Sequence, residues 1–136
     1  PYRSRGEAQV GRLLDRYGIP FTHELPTMVY DRGRDRVWRP DFTLYTLNGL
    51  ILEYAGMMDK PDYAAGIRHK QEAYATNNLP AVFIYPADLR GPGWPGHVLA
   101  RIQGAVGRPY RGSLATLGRQ RTFVFSGYKQ GHGYRS

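Results

Sequence analysis

The sequence predicts an α/β fold in which a mixed central sheet is flanked by helices, and three observations support this prediction. The 136 residues fit one domain with a single hydrophobic core. Segments with the apolar spacing of a helix alternate with short apolar runs of strand length. The order of these segments over residues 4–85 is α-β-β-β-α-β, which is typical of a layered α/β architecture.

The first part of the chain predicts one helix and three strands. Ser4 is a candidate N-cap with Glu7 three residues later, which is the spacing of a capping box, and Gly18 ends the helix. A charged hairpin loop is predicted at residues 31–36. The three strands are predicted over residues 20–25, 37–44 and 50–54.

The second part predicts two further helices and one further strand. Pro61 suits the first turn of a helix that runs to about Asn77, with Asp59 as a candidate cap. A buried strand is predicted at residues 81–85, a third helix at 97–106 and a short strand at 122–125. We expect residues 1–107 to form the core domain, and residues 108–136 to form a basic extension packed on it or next to it.

The net charge of +8 lies entirely in the last third of the chain. Basic and acidic residues cancel over residues 1–88, whereas residues 89–136 contain no acidic residue. This asymmetry predicts either a polyanionic partner or a solvated basic tail, and the interleaved aromatic residues favour nucleic acid over a membrane surface. The candidate DNA contacts are Arg3, Arg5, Arg34, Arg36, Arg111, Arg119, Arg121 and Lys129.

Several classes of protein are excluded or disfavoured by composition. The chain has no cysteine, which excludes disulfides, thiolate metal sites and a cysteine nucleophile. It has no apolar stretch near the roughly 18 residues of a membrane span, and no apolar region follows its basic N-terminal residues. We therefore expect a cytoplasmic protein with no membrane partner.

Three acidic residues lie at positions where the pattern predicts burial. Glu7 shares a helical face with Val10 and Leu14, Asp41 falls within the second predicted strand, and Glu53 follows an apolar run in the third. Asp41 and Glu53 can approach across neighbouring strands and offer hard oxygen ligands to Mg²⁺ or Mn²⁺. Taken singly, Glu7 fits a capping box better and Asp41 fits a solvent-exposed strand end.

Lys70 lies in the middle of an otherwise apolar helical stripe that contains Tyr63, Ile67 and Tyr74. A lysine there either extends along the stripe to reach water or meets the buried acids. The three acids favour the second alternative. His23 and His69 stand alone in the sequence, and we expect them to be surface or packing residues.

Taken together, these residues resemble the motifs of the PD-(D/E)XK nuclease superfamily. The matching segments are Ser4-Arg5-Gly6-Glu7 at the start of a helix, Arg39-Pro40-Asp41-Phe42 on a strand and Leu52-Glu53-Tyr54-Ala55-Gly56 on the next. The resemblance covers about residues 4–86 and implies the restriction-endonuclease-like core. It departs at Ala55, where the family usually has lysine. In some branches the lysine lies on the following helix, which implies Lys70 here.

The resemblance implies a role for each of these residues. Asp41, Glu53 and the backbone carbonyl of Tyr54 would hold Mg²⁺, which Mn²⁺ would replace, and Glu7 would support the ion directly or through water. Lys70 would orient the attacking water and offset charge on the scissile phosphate. These four side chains are the expected catalytic residues.

The implied activity is metal-dependent hydrolysis of DNA by an endonuclease. By size and fold the chain is similar to Holliday-junction resolvases, which implies a homodimer acting on branched DNA. An exposed apolar patch on the third predicted helix is one candidate interface, and residues 123–125 as an edge strand are another; both segments also fit an ordinary core. The patch residues are Trp94, Val98, Leu99 and Ile102. The alternatives are a nucleic-acid-binding module without catalysis and a nuclease domain of a larger restriction or repair protein.

Overall fold

In a computed structural model of the chain, residues 1–107 are described. The elements of this range are α1 (Arg5–Arg16), β1 (Thr22–His23), β2 (Thr27–Asp31), β3 (Arg34–Trp38), β4 (Phe42–Leu44), β5 (Leu50–Tyr54), α2 (Pro61–Thr76), β6 (Ala81–Ile84), a 3-10 helix (Pro86–Leu89) and α3 (Trp94–Gly107). The predicted strand at residues 122–125, the basic extension and its four candidate DNA contacts lie outside the described residues.

Four strands form one mixed sheet in the order β1-β4-β5-β6. β4 pairs antiparallel with both β1 and β5, whereas β6 lies parallel to β5 after the α2 crossover. The prediction of an α/β fold with a mixed sheet is therefore confirmed. Along the chain, the elements of this sheet and its first two helices follow the predicted order α-β-β-β-α-β.

The segment between β1 and β4 differs from the prediction. The single strand expected over residues 37–44 is wrong, because β3 and β4 are separate strands in separate sheets. Pro40 lies between them and has no amide hydrogen to donate, which favours a break there. β2 and β3 instead form a two-stranded hairpin whose turn is Arg32-Gly33, with φ of 51° and 77°. The predicted loop at 31–36 is therefore mostly strand.

The helices pack on opposite faces of the sheet. One buried cluster joins α1 and α3 to residues such as Leu50 and Leu52 of β5. The other joins α2 and the hairpin to Ile51 and to Phe83 of β6. Because side chains alternate along a strand, Glu53 lies on the same face as Ile51 and is directed towards α2. This alternation places a carboxylate inside an otherwise apolar layer.

The helix ends were predicted in part. The Ser4 hydroxyl caps α1 by accepting from the Glu7 amide at 3.1 Å, but the Glu7 side chain does not complete a capping box. Gly18 follows the helix with φ of 63°. The N-cap of α2 is Lys60 and no side chain caps it, so the prediction of Asp59 as the cap is wrong.

The predicted apolar patch on α3 is wrong. Val98 and Ile102 are fully buried in the core, and Trp94 and Leu99 are half-buried against it. The homodimer stays a prediction, but the α3 patch is no longer a candidate for its interface. None of the helices formed by residues 1–107 is long and apolar enough to cross a membrane.

Candidate active site

Asp41 and Glu53 lie side by side where β4 begins and β5 ends. Phe42 pairs with Leu52 across the two antiparallel strands, so Asp41, one residue before β4, lies beside Glu53. The Asp41 amide donates to Glu53 Oε1 at 3.2 Å, and the Tyr54 amide donates to Asp41 Oδ2 at 2.8 Å. The two carboxylates are thus fixed by each other's strands rather than by flexible loops.

Two side chains of α2 also contact the Glu53 carboxylate. The Tyr74 hydroxyl donates to Glu53 Oε2 at 2.5 Å, and Lys70 Nζ lies 3.5 Å from the same oxygen. The glutamate is only 3% exposed, so these partners offset the cost of its burial. Of the two alternatives for Lys70, the structure has the one in which it meets a buried acid.

Asp41 is the most electrostatically perturbed group of the site. Burial and the neighbouring Glu53 charge raise the pKa of Asp41 to about 7, although the Tyr54 amide and Lys70 act in the opposite direction. Burial and Glu53 also raise the pKa of Tyr74, so this phenol stays a neutral donor. A carboxyl with a pKa near neutrality and a specific charged neighbour is typical of a functional site.

Glu7 is buried and its carboxylate faces His23. Glu7 Oε2 lies 2.6 Å from His23 Nε2, and the glutamate is 4% exposed. The prediction that Glu7 acts as a capping-box acid is therefore wrong, and His23 is more than a packing residue. The need of a buried carboxylate for a partner was the signal in the sequence, but it did not indicate which partner, because the two residues are 16 positions apart.

Arg3 and Glu24 form an ion pair at the edge of the site that no local pattern in the sequence predicts. Arg3 contacts Glu24 Oε2 at 3.1 Å and Asp41 Oδ1 at 3.6 Å. Glu24 has φ of 55°, in the left-handed region that non-glycine residues rarely adopt. One atom each from Glu7, His23 and Glu24 lie within 4.8 Å of one another, so this group could hold a metal ion.

Five of the charged residues of the site line one cleft of about 370 Å³, namely Arg3, Glu7, Asp41, Glu53 and Lys70. Its walls come from α1, the start of β4, the end of β5 and α2. Tyr54 and Tyr63 also line it, and the Tyr54 carbonyl accepts from the Tyr63 hydroxyl at 3.4 Å. The four predicted catalytic residues, Glu7, Asp41, Glu53 and Lys70, therefore line a single cleft.

The donor atoms of this cleft fit a hard divalent ion. Two carboxylates and a carbonyl supply oxygen, which Mg²⁺ and Mn²⁺ prefer. Asp41 Oδ1 lies 3.6 Å from a guanidinium nitrogen of Arg3, whose side chain is 67% exposed. The site thus combines fixed inner oxygens with one face open to a ligand.

The candidate DNA contacts within the described residues are dispersed. Arg3 borders the cleft, Arg5 is exposed at the start of α1, and Arg34 and Arg36 lie on the hairpin, where Arg36 pairs with Asp31 at 3.6 Å. Comparisons of the chain with family models, curated proteins and solved structures found no match.

Proposed function

We propose that the chain is a divalent-metal-dependent DNA endonuclease that hydrolyses phosphodiester bonds. The observation that carries the proposal is the meeting of Asp41, Glu53 and Lys70 in one cleft, with Lys70 3.5 Å from Glu53. Paired carboxylates beside a lysine can bind a cation and a phosphate together. A purely structural role would not require three charged groups in a cleft that is open to solvent.

Asp41, Glu53 and the Tyr54 carbonyl would hold Mg²⁺ or Mn²⁺, with Glu7 supporting the ion directly or through water. When bound, the ion supplies Lewis-acid polarisation of the phosphate. The chain's own contribution is to hold these oxygens in place. Tyr74 fixes one Glu53 oxygen and the Tyr54 amide fixes one Asp41 oxygen. Glu7 is kept in place by His23.

Lys70 supplies a positive charge to the cleft. Its side chain is 41% exposed, so the ammonium reaches both the buried Glu53 and the open cleft. There it would orient the attacking water and offset the negative charge that grows on the scissile phosphate. Since it extends from the middle of a packed helix, its position is set by the fold.

The test is incubation of the full chain with supercoiled, linear and four-way-junction DNA, with Mg²⁺ and with EDTA. We expect cleavage only with the metal. Glu53→Gln and Asp41→Asn should abolish cleavage while DNA binding survives, because an amide is a far poorer ligand for a hard ion. Lys70→Ala should lower the rate by about 10²-fold or more.

Two matched controls define the outcome. Lys60→Ala removes a lysine next to α2 but outside the cleft, and Glu72→Gln neutralises an exposed acid of the same helix. Both should leave cleavage unchanged. Binding without cleavage by the wild-type chain would favour the non-catalytic module, and equal losses in Lys60→Ala and Lys70→Ala would refute the role of Lys70.

The proposed substrate is branched DNA, cut by a homodimer. Resolution of a junction requires two symmetry-related cuts, which a two-fold dimer provides with its two sites. Sedimentation with and without a four-way junction would test the assembly. A monomer in both conditions would exclude the dimer, and a junction that competes no better than linear duplex of equal length would leave a general nuclease.

A further inference from the structure

The hairpin β2–β3 forms a two-stranded ribbon separate from the main sheet. Its register pairs Met28 with Val37 and Tyr30 with Asp35, which places these four side chains on one face. On this outer face Met28, Tyr30 and Val37 are 64%, 56% and 61% exposed. Three large apolar side chains left in solvent on one small ribbon indicate a surface that meets a partner.

The opposite face anchors the ribbon to α2. Val29 is fully buried there, and the Trp38 ring lies 5.6 Å from the Tyr74 ring. The Asn77 side chain accepts from the Tyr30 amide and donates to the Tyr30 carbonyl, both at 2.9 Å. These two bonds occupy the free edge of β2, so another strand cannot pair there. The ribbon is therefore a fixed arm.

This arm is connected to the candidate active site through two residues of α2. Tyr74, which packs on Trp38, is the same residue that donates to Glu53. His69 lies 3.5 Å from an Arg32 nitrogen at the tip of the hairpin, and the next residue is Lys70. A polymer bound in the cleft therefore passes close to the arm.

The charge of the arm indicates the chemistry of its partner. Arg32, Arg34 and Arg36 of the hairpin are exposed, and of its two acids Asp31 is already held by His69 at 2.9 Å and by Arg36. By the same register Asp35 is the one charged residue on the outer face, whereas Arg34 and Arg36 alternate onto the opposite face and Arg32 lies in the turn. A polyanion matches the charge, and the major groove of B-DNA is wide enough to admit a two-stranded ribbon.

We propose that the hairpin enters the major groove of duplex DNA, with its outer apolar face towards the base edges and its arginines on the flanking phosphates. This inference rests on the proposed function, because it names duplex DNA as the substrate of the same site. Met28 and Val37 would contact thymine methyl groups, which project into the major groove. Arg32 and Arg34 at the tip would supply phosphate contacts.

The first test uses the absence of cysteine from the chain. Val37→Cys places a single thiol on the outer face, and Glu72→Cys places one at an exposed position of α2 as the control. Each full-chain variant is incubated in EDTA with duplex carrying a disulfide tether in either the major or the minor groove. We expect Val37→Cys to cross-link through the major-groove tether several-fold more than the control does, and more than through the minor-groove tether.

Other results would overturn the inference. Cross-linking through the minor-groove tether, or equal cross-linking by the two variants, would place the hairpin outside the major groove. Oxidative dimerisation of Val37→Cys without DNA, with no cross-link to the tether, would make a second copy the occupant. Preference for a tethered single strand over the duplex would make unpaired DNA the occupant.

The second test measures affinity for the same duplex in EDTA. The Arg32→Ala/Arg34→Ala variant should bind about tenfold more weakly at moderate salt, and its slope of log K against log salt should fall by about 0.9 per lost contact. As the control, Arg12→Ala/Arg16→Ala removes the same charge from the exposed side of α1. This variant should change the affinity and the salt slope less than Arg32→Ala/Arg34→Ala does. Equal effects would refute the inference. No step requires cleavage, so failure of the nuclease activity would be seen separately.

Discussion

At the scale of single residues, ionisation of the buried Asp41 carboxyl lowers the stability of the metal-free fold. Folding raises its pKa from 3.8 to about 7 through burial and the Glu53 charge, so the folded protein resists ionisation of this acid. Well below pH 3.8 the group is protonated in both states and no penalty arises. As the pH rises towards 7 the unfolded chain loses its proton first, and the metal-free fold loses stability. Above that range the penalty is constant.

Asp41→Asn should therefore stabilise the metal-free protein at high pH. The amide carries no charge and still accepts from the Tyr54 amide. In EDTA at about pH 8 we expect a gain of about 2 kcal/mol or more in the free energy of unfolding relative to wild type, shrinking towards pH 4. Urea denaturation at both pH values measures it. Asp35→Asn, at an exposed aspartate, should show no such trend.

Added Mg²⁺ should reverse the order, since a ligand that binds only the folded wild type stabilises it. An Asp41→Asn variant that is no more stable than wild type at pH 8 would show that burial and the Glu53 charge do not destabilise the ionised Asp41. A stability order unaffected by Mg²⁺ would argue against Asp41 as a ligand.

Replacing His23 should lower the stability of the fold, because His23 is the partner of the buried Glu7 carboxylate. His23→Phe leaves the 4% exposed Glu7 carboxylate without its 2.6 Å partner, at a cost of about 1–3 kcal/mol in stability. The double variant Glu7→Leu/His23→Phe should recover most of this loss, because no buried charge remains. A double-mutant cycle from thermal unfolding measures the coupling. Additive losses would mean that the two residues act independently.

At the scale of elements, a glycine determines how closely β5 approaches α1. A Cβ on Gly6 would overlap the Tyr54 ring, which lies directly over the helix. Gly6→Ala should therefore lower stability by about 1–3 kcal/mol, measured by urea unfolding. In a Tyr54→Ala background the same change should be neutral or slightly stabilising, because alanine favours a helix over glycine by about 1 kcal/mol. A loss that persists in that background would place the strain elsewhere.

The elements with a clear local pattern were predicted well. β5 was predicted with its observed bounds, residues 50–54, and α2 within one residue of its end. The hairpin was not predicted, because Arg34 and Asp35 look like loop residues although they form strand β3. Its stability comes from long-range contacts with α2, such as those of Asn77 with Tyr30, which are 47 residues apart and leave no local signal.

The candidate site was predicted from misplaced charges. Glu7, Asp41, Glu53 and Lys70 were all identified because each interrupts an apolar pattern. The partners that fix them were not, since His23, Tyr74 and Arg3 fit ordinary roles in their own segments. Only the three-dimensional structure brings Tyr74 to Glu53 across 21 residues.

At the scale of the whole molecule, charge is unevenly distributed along the chain. The 11 acidic residues all lie within residues 1–88, where they balance the basic ones. Residues 89–136 therefore carry the entire net charge of +8. If the chain binds DNA as proposed, we expect this segment to add phosphate contacts without competition from acids of its own, and its effect should appear in the salt dependence of binding.

The variant with alanine at Arg111, Arg119, Arg121 and Lys129 should flatten the dependence of log K on log salt. Each lost duplex contact lowers the slope by about 0.9, so the four together should reduce it by up to about 3.6. Fluorescence anisotropy of a labelled duplex, titrated in EDTA at several salt concentrations, measures the slope. The matched control removes four exposed cations of the described fold, namely Arg12, Arg16, Arg68 and Arg90. A non-specific effect of net charge would change both variants alike, whereas direct contacts predict a change in the first alone. An unchanged slope in the first variant would identify this segment as solvated charge, and would leave the cleft and the hairpin as the DNA-binding surface.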